Sequence, residues 1–400
     1  MSASPLALVA VFGIIGLNLR TTFGAVPSLL DDVGDDLHLS GFALSLLTAI
    51  PVVCMGLLAP VAQRLAARVG QEQLTTLSLA LLTIAEVMRL GGQVGWVLYL
   101  STLLSGAAMG GVSTVMPGLI GHHLGRAPGL GAGIYSTAMA TGSAIAAWLT
   151  VPLATTLGGW NRSLAFWAVP TAVTTLCWLL VVPRLTRSDI RGVRSVREPP
   201  SVHRLPWRSR TARLLGLYFA IQTLLGFSVL TWVAPAYRAR GWAAEDAALL
   251  LSLLLVVQVV AMLVLPAITD RTRDRRPLLA LALGSTALGL LCFAATPTLA
   301  YVAAALVGLG VGGGFSLGLV LLVDVTTNRA EAARLAAMVF LLSYTFAALG
   351  PLLVGVLHDL TGGFAVGFWA LFALSVAHLA VVPGLRPGRT VADRLRPQGS

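Results

Sequence analysis

One arginine stands in the middle of the first long apolar stretch of the chain. Arg20 lies roughly 21 Å of helix from Leu6 and about 15 Å from Leu30, so its side chain reaches neither end of that stretch. An unpaired charge at the centre of a bilayer costs at least about 2.5–3.5 kcal/mol. Because a guanidinium presents a planar donor fork that suits a small anion, Arg20 is predicted to bind an anionic ligand. The alternative is a structural role, in which Arg20 caps a carbonyl or pairs within a helix bundle. Asn18 joins the candidate binding set, although its spacing places it on another helix face and favours packing.

Two further segments carry titratable groups inside apolar sequence. Glu86 precedes Arg89 by three residues, so both lie on one face of a helix. This spacing predicts an ion pair near the outer surface, and the alternative is that Glu86 carries protons. His378 is the other candidate proton carrier, against the interpretation that it is a satisfied packing residue.

Several polar and aromatic residues are expected to line a cavity between helices, with a gate beside them. Trp232 has an equally weighted alternative as a residue of the interfacial aromatic belt. The neighbours His358 and Asp359 at an outer helix end are predicted to act as a gate or a cap. The candidate cavity residues besides Arg20 and Asn18 are Tyr135, Gln222, Gln258, Tyr344 and Trp232.

The sequence gives no sign of catalysis or of a cofactor. There is no phosphate-binding glycine loop, no His/Cys/carboxylate cluster with metal-ligand spacing and no nucleophile beside a base. The three cysteines stand alone in separate apolar segments, which excludes a disulfide framework as an interpretation. The chain is therefore not expected to be an enzyme, and no cofactor or metal is expected.

The elements that must position these residues are membrane helices. The 400-residue chain is 56% hydrophobic and 11% charged, a composition that a soluble protein does not need. Its first apolar segment is too long, and too poor in preceding positive charge, for a cleaved signal. Apolar stretches long enough to span a bilayer recur and predict twelve helices, at 6–30, 42–66, 73–92, 95–121, 130–155, 162–183, 212–236, 246–269, 277–296, 298–323, 334–358 and 364–383.

The helices fall into two sets of six that repeat each other. The predicted domains are a bundle over 1–183, an arginine-rich linker over 184–211 and a bundle over 212–400 that ends in a short tail. Gly106-x-x-x-Gly110-Gly111 matches Gly308-x-x-x-Gly312-Gly313, an offset of 202 residues. Leu157 matches Thr361 at an offset of 204, and Pro60 matches Pro266 at 206. Such repeats are typical of transporters, and the spaced glycines predict close helix contact rather than ligand contact.

The arginines assign the sides of the membrane. All 27 basic residues are arginine; 22 fall in the linker, the tail and alternate loops, four fall on the opposite side, and the remaining one is Arg20. By the positive-inside rule the linker and both termini are predicted to be cytoplasmic. The net charge of +11 is thus interpreted as a topology signal rather than a nucleic-acid patch, which was the alternative.

The six-plus-six pattern and the charged turn after predicted helix 8 resemble the Major Facilitator Superfamily. That turn reads Asp270-Arg271-x-x-Asp274-Arg275-Arg276 and is similar to the superfamily's gating motif; its first copy, around Arg64 and Arg68, lacks the acidic residue. The resemblance narrows to the cyanate and nitroimidazole permease family through Asn18-Leu19-Arg20, Val115–Ile120, Tyr135–Met139, Leu349-Gly350-Pro351 and Leu357–Gly363. It implies an all-α membrane protein of twelve transmembrane helices in two pseudo-symmetric bundles.

Three positions depart from the family. Thr21 stands where a proline commonly follows the arginine, Phe340 where a glutamine is usual, and Phe227 where a tyrosine is usual. The loss of polar groups favours, as an alternative function, a multidrug effluxer with an apolar cavity.

The expected function is a secondary active transporter that moves a small anionic or polar organic solute by alternating access, coupled to protons. A membrane receptor or sensor on the same fold is the alternative from another class. The expected partners are the solute, the lipid bilayer of the cytoplasmic membrane and protons, with no nucleic acid, and the protein is expected to act as a monomer.

Overall fold

A computed structural model describes residues 5–123, 128–189, 206–269, 274–326 and 329–385, and these residues form helices and turns with no strand. The helices of the first half are α1 Pro5–Leu19, α2 Thr21–Ser28, α3 Leu30–Leu37, α4 Gly41–Leu57, α5 Ala59–Val69, α6 Gln71–Met88, α7 Gly95–His123, α8 Pro128–Leu157, α9 Trp160–Phe166 and α10 Ala168–Asp189. Those of the second half are α11 Arg210–Arg238, α12 Ala244–Thr269, α13 Arg276–Ala295, α14 Ala300–Asp324, α15 Arg329–Ala347, α16 Leu349–Thr361 and α17 Ala365–Leu379.

Twelve candidate membrane spans result when broken helices are joined. Eleven are long and apolar enough to cross a membrane by themselves or as nearly straight pairs. The twelfth combines Gly41–Leu57 with Val61–Val69, which are bent by 57° at a short break. The prediction of twelve spans is confirmed within the described residues. Residues 190–205, most of the predicted linker, lie outside them, as do Asp270 and Arg271 of the charged turn.

The first span is not the continuous helix that the sequence predicts, because it breaks at Arg20. The backbone of Arg20 has φ −114° and ψ 11°, so α1 ends before it and α2 starts after it. The Ser143 hydroxyl, on α8, donates to the Arg20 carbonyl at 2.9 Å, and the Thr21 hydroxyl donates to the Asn18 carbonyl at 3.0 Å. These side chains satisfy carbonyl groups around the break and so stabilise it.

The acidic segment after the first span is also more ordered than the sequence indicates, because Leu30–Leu37 forms the short helix α3. Asp31 and Asp32 occupy its first turn, where negative charge interacts favourably with the helix dipole. His38 ends the helix in a left-handed conformation with φ 52°.

The described structure divides into two compact units. Unit 1 comprises Met1–Leu39 and Ile50–Ser201, and unit 2 comprises Ser40–Ala49 and Val202–Ser400. The first turns of α4 thus belong to unit 2, and the rest of that helix belongs to unit 1. Neither composition nor loop charge indicated this exchange. In unit 2, a core of buried aliphatic and aromatic residues joins α11 to α12, α13, α14 and α15, among them Leu215, Phe219, Leu283 and Met338.

Equivalent glycines make equivalent contacts in the two units. A side chain at Gly106 or Gly110 of α7 would clash with or press on the backbone of α4. A side chain at Gly308 or Gly312 of α14 would meet the backbone of α12 at Leu254 and Gln258. The predicted close packing at these glycines is confirmed, and it is the same in both repeats.

Candidate functional site

Arg20 lies at the break of the first span and is partly buried. Its guanidinium carbon stands 5.2 Å from the centre of the Phe23 ring, one turn further along. Its Nε is buried and has no hydrogen-bond partner. Among the described residues, no carboxylate lies within ion-pair distance of it. The part of the side chain able to hold an anion is therefore not engaged by a carboxylate of the described chain.

The two candidates next to Arg20 have packing contacts. Asn18 is 3% exposed, and its amide donates to the Ile14 carbonyl at 3.0 Å and to the Thr174 hydroxyl on α10 at 2.8 Å. Tyr135 of α8 is buried where that helix passes so close to α1 that a side chain at Gly16 would strike its backbone. Asn18 therefore ties α1 to α10, in keeping with the packing interpretation.

Glu86 and Arg89 are both completely buried within the protein, and their predicted position near the outer side of the membrane stays a prediction. No ion-pair contact joins Glu86 to Arg89, and neither carboxylate oxygen of Glu86 has a hydrogen-bond partner within 3.5 Å. Arg89 instead donates from Nη2 to the hydroxyls of Thr22 at 3.4 Å and Ser105 at 3.5 Å, both long contacts. The Thr171 hydroxyl lies beside the Glu86 carboxyl. The helices α7, α9 and α10 all pack against α6.

Sequence reasoning missed the hydroxyl groups that surround these charges. Thr22, Ser105, Thr171 and Ser143 are all buried. Their presence inside apolar spans is a weak signal, since Ser and Thr hydroxyls commonly bond their own helix backbone. The position of Thr22, two residues after Arg20, was the clue available in the sequence.

In unit 2 the corresponding polar candidates have partners. Gln222 of α11, 2% exposed, donates through Nε2 to the carbonyls of Gly310 and Val311 on α14 at 3.2 and 2.9 Å. Gln258 of α12 is partly buried, and its backbone lies against Gly312 of α14. Gln222 therefore holds helices together in this conformation.

Trp232, 1% exposed, neither faces the bilayer nor lines an open cavity here. Its indole N–H donates to the Pro351 carbonyl at 2.9 Å, and its ring stacks on His358 with centres 6.3 Å apart. Next to His358, the Asp359 carboxylate accepts from the backbone N–H groups of Gly41 and Phe42 at 2.6 and 2.9 Å. Asp359 thus caps the first turn of α4, and the gate or cap role of the His358–Asp359 pair stays a prediction.

His378 and Tyr344 sit among aromatic side chains. His378 is 1% exposed, and its ring centre is 4.7 Å from that of Tyr218, whose hydroxyl donates to the Gly314 carbonyl. Tyr344 is partly buried and stacks on Phe340 at 6.3 Å. The aromatic neighbours of His378 are those of a packing residue, but its Nε2 is buried without a hydrogen-bond partner, so the histidine is not fully satisfied.

The described part of the charged turn forms ion pairs. Asp274 accepts from the Arg276 side chain at 2.8–3.2 Å and from its backbone N–H at 3.0 Å. These bonds hold the pKa of the Asp274 carboxyl below its usual range. Arg275 reaches Asp324, at the end of α14, at 3.3 Å. The turn therefore links the start of α13 to the end of α14.

In unit 1, therefore, the described residues include a guanidinium at Arg20 whose Nε has no partner and a completely buried acid and base at Glu86 and Arg89. No group of three or more potential metal ligands occurs among the described residues.

Comparison with known proteins identifies the family. The profile of the Major Facilitator Superfamily matches residues 8–273 and 215–398. The chain is 31% identical to the cyanate transport protein CynX of Escherichia coli (strain K12) over 376 residues, covering 94% of this chain and 96% of that protein. It is 26% identical to the 2-nitroimidazole transporter of the same organism over 385 residues, covering 96% of each. The crystal structure of the nucleoside transporter NupG superposes with a TM-score of 0.75 at 12% identity, covering 94% of this chain and 99% of that chain, which supports the fold.

Twelve spans in two repeated sets, a profile match over nearly the whole chain and a relative above 30% identity agree with one another. The chain belongs to the Major Facilitator Superfamily and is a multi-pass membrane protein that acts as a secondary transporter of small solutes.

Proposed function

We propose that this transporter carries a small anionic or polar organic solute by alternating access and binds the solute's negative end at Arg20. The observation that carries the proposal is the geometry of Arg20: a partly buried guanidinium at a break in the first span, with a buried Nε that has no partner. Burial weakens screening by water, so a charge-assisted contact there is stronger than one at the protein surface.

The local structure supports presentation of the guanidinium to a ligand. Arg20 uses its carbonyl, not its side chain, in the contacts with Ser143 and Phe23 that define the break. The Phe23 ring stands against the guanidinium, an arrangement that cation–π attraction favours and that leaves the edge of the fork available.

The relatives support a small solute of this kind. The protein of 31% identity is named for cyanate, which is a small anion, and the protein of 26% identity is named for 2-nitroimidazole, a planar polar molecule. We transfer the chemical class to this chain, not either compound as its natural substrate.

The remaining features of transport are part of the same proposal. Protons are the proposed driving ion, and the buried carboxyl of Glu86 is the group that supports this choice. The termini and the 184–211 segment are proposed to be cytoplasmic on the strength of the arginine distribution. The proposed location is the cytoplasmic membrane, the acting unit a monomer, and the chain performs no enzymatic reaction.

A multidrug effluxer is the second candidate, and aromatic packing in unit 2 favours it. The Phe219 ring lies 5.6 Å from Phe315 and 6.3 Å from Phe340, which in turn stacks on Tyr344. Such a run of rings suits apolar or cationic aromatic compounds. The two candidates differ in whether binding requires Arg20.

The test is ligand-dependent thermal stabilisation of the purified protein, with cyanate, acetate, 2-nitroimidazole and a cationic aromatic dye as probes. A bound probe stabilises the fold according to its concentration relative to Kd. Arg20→Ala is expected to weaken cyanate binding about 10- to 100-fold, because a charge-assisted contact contributes roughly 1.5–3 kcal/mol. Arg20→Lys is expected to rescue poorly, since ammonium lacks the planar fork.

Arg240 provides the matched control. Like Arg20 it is a partly buried arginine over an aromatic ring, 4.8 Å from the centre of Tyr237, and its Nη1 is buried without a partner. Unlike Arg20, it uses its side chain in a hydrogen bond within the protein, because its Nη2 donates to the Phe293 carbonyl at 2.7 Å. Arg240→Ala should leave cyanate affinity unchanged. Cyanate binding that survives Arg20→Ala would refute the assignment, and stabilisation by the dye alone would favour the effluxer.

A further inference from the structure

Unit 1 contains a second buried charged site, formed by residues that the proposed anion site does not use. Glu86 lies near the end of α6, and Arg89 lies in the 3₁₀ turn Arg89–Gly91 that follows it. Both side chains are 0% exposed. Charged groups at such burial within a membrane protein commonly mark ion or proton sites.

The contacts of the pair are those of a separated acid and base. Both Glu86 oxygens and the Nε and Nη1 of Arg89 lack hydrogen-bond partners. A buried ion pair repays its desolvation only with excellent geometry, and that geometry is absent. Arg89 is instead directed to the hydroxyls of Thr22 and Ser105. This arrangement fits a Glu86 carboxyl that holds a proton, since a carboxylate three residues from Arg89 would attract it.

One of these contacts leads towards Arg20. Thr22 is the second residue of α2, the helix that begins directly after the break at Arg20. Arg89 therefore contacts the first turn of α2, the helix whose start sets the backbone position of Arg20. Withdrawal of Arg89 towards an ionised Glu86 would release Thr22, and the new negative charge would oppose an anion held in the same unit.

We propose that Glu86 and Arg89 form a proton-binding switch, separate from Arg20, that couples proton binding to anion binding through Thr22. The coupling part rests on the proposed function. The switch predicts cooperation of proton and anion: protonated Glu86 favours the bound anion, and the ionised form disfavours it.

Other titratable groups on the elements packed against α6 do not replace Glu86 in this role. Of the described charged groups, Arg89 is the one that acts on the Glu86 carboxyl. Near the opposite end of α6, Glu72 contacts His123 at 3.1 Å, and on α9 Arg162 donates to the Leu157 carbonyl. The remaining titratable groups on these elements whose side chains the structure describes are Arg64 and Arg68 of α5, Tyr99 of α7 and Cys177 of α10.

The proton site is tested without any solute. Infrared difference spectra of the full-length protein in lipid, between alkaline and acidic buffer, report the C=O stretch of carboxylic acids as they gain a proton. Glu86→Gln is expected to lose one component of that band. Glu72→Gln is the matched control on the same helix and must retain that component. A band unchanged by Glu86→Gln would overturn the proposal.

The coupling is tested with cyanate. In the wild type, cyanate is expected to bind about 5- to 150-fold more tightly when the Glu86 component is protonated, the usual range for linked sites. Glu86→Gln should make affinity independent of pH. Thr22→Val should keep the infrared component and diminish the pH response, whereas His378→Gln, in unit 2, should leave the response intact.

The outcomes separate the two proposals. If wild-type protein binds no cyanate but Glu86→Gln removes the infrared component, the anion assignment fails and the proton site stands. If cyanate binds with the same affinity across the titration, the coupling is refuted. If Glu86→Gln does not fold, Glu86→Asp decides: a displaced titration of the component supports the proton site, and an unchanged titration overturns it.

Discussion

The two units share a helix order but treat charge in their interiors differently. In unit 1, Arg20 is partly buried, and Glu86 and Arg89 are completely buried. At offsets of 202 to 206 residues, the repeat positions of unit 2 carry no charged residue for any of the three; at 204 they are Leu224, Leu290 and Phe293. The described charged residues of unit 2 stand at the ends of its candidate spans or between them. Because the same helix positions pack well with apolar side chains in unit 2, the fold does not require the charges of unit 1.

Several of the polar groups that unit 2 buries have partners or aromatic neighbours, although the Ser343 hydroxyl is buried there without a hydrogen-bond partner. Gln222, the repeat counterpart of Asn18 at an offset of 204, is bonded to two carbonyls of α14. His378 lies against the Tyr218 ring. The difference teaches that buried polar groups behave in two ways in one chain: Gln222 joins helices in unit 2, whereas in unit 1 Arg20, Glu86 and Arg89 keep donors or acceptors without partners.

The largest effect is expected when the buried charges of unit 1 are replaced by the apolar residues that stand at the repeat positions of unit 2. At alkaline pH, where the proposed switch ionises Glu86, Glu86→Leu removes an anion that acts on Arg89 and should cost about 3–5 kcal/mol in the free energy of unfolding, the usual penalty for a buried charge that loses its partner. The double variant Glu86→Leu/Arg89→Phe reproduces Leu290 and Phe293, and should regain most of that loss, because well-packed apolar residues often equal a buried pair. Equilibrium unfolding in mixed micelles measures both.

A double variant as unstable as Glu86→Leu alone would break the comparison, since the charges would then be needed for packing. The stable double variant should also have lost the pH response of cyanate binding.

A smaller effect is expected from a charge at a helix end in unit 2. Asp359→Ala removes the carboxylate that caps α4 through Gly41 and Phe42 and should cost about 0.5–2 kcal/mol, the range for loss of a helix cap. Asp359→Asn, which keeps an acceptor oxygen, should lose less. Hydrogen exchange of the amides in the first turn of α4 is the local readout, and unchanged protection in Asp359→Ala would show that the cap contributes nothing.

The elements of the fold were predictable because the bilayer imposes them. Hydropathy alone predicted twelve spans, and the spaced glycines predicted close helix contacts at α7 and α14, since both signals depend on local sequence. The partners of those contacts, α4 and α12, were not predicted. The break at Arg20 was not predictable. No proline or glycine marks that position, and one bond at the break comes from Ser143, more than a hundred residues away in sequence.

The site was predictable in its residue types but not in its contacts. The charges inside spans identified Arg20, Glu86 and Arg89, because lipid makes such residues rare. Their partners depend on tertiary packing: Arg89 meets Thr22 and Ser105 from two other helices rather than the carboxylate beside it in sequence. The partner of Trp232 was not predictable for the same reason, since its burial against Pro351 follows from the packing of α16 on α11.

The smallest perturbation tests whether the repeat positions are equivalent at all. Six spans separate Asp35 from Ala239, its counterpart at an offset of 204, so both should lie on the same side of the membrane, outside. Both are exposed, so a cysteine at either position should leave stability unchanged within about 0.5 kcal/mol. In a background without Cys54, Cys177 and Cys292, a membrane-impermeant thiol reagent should label Asp35→Cys and Ala239→Cys in intact cells. Ser195→Cys, in the arginine-rich segment, should react only after the cells are opened.

Labelling of position 35 but not 239 would show that the units do not share one orientation, and the comparison of Glu86 with Leu290 would lose its basis. Labelling of position 195 in intact cells would instead reverse the assignment of sides made from the arginines.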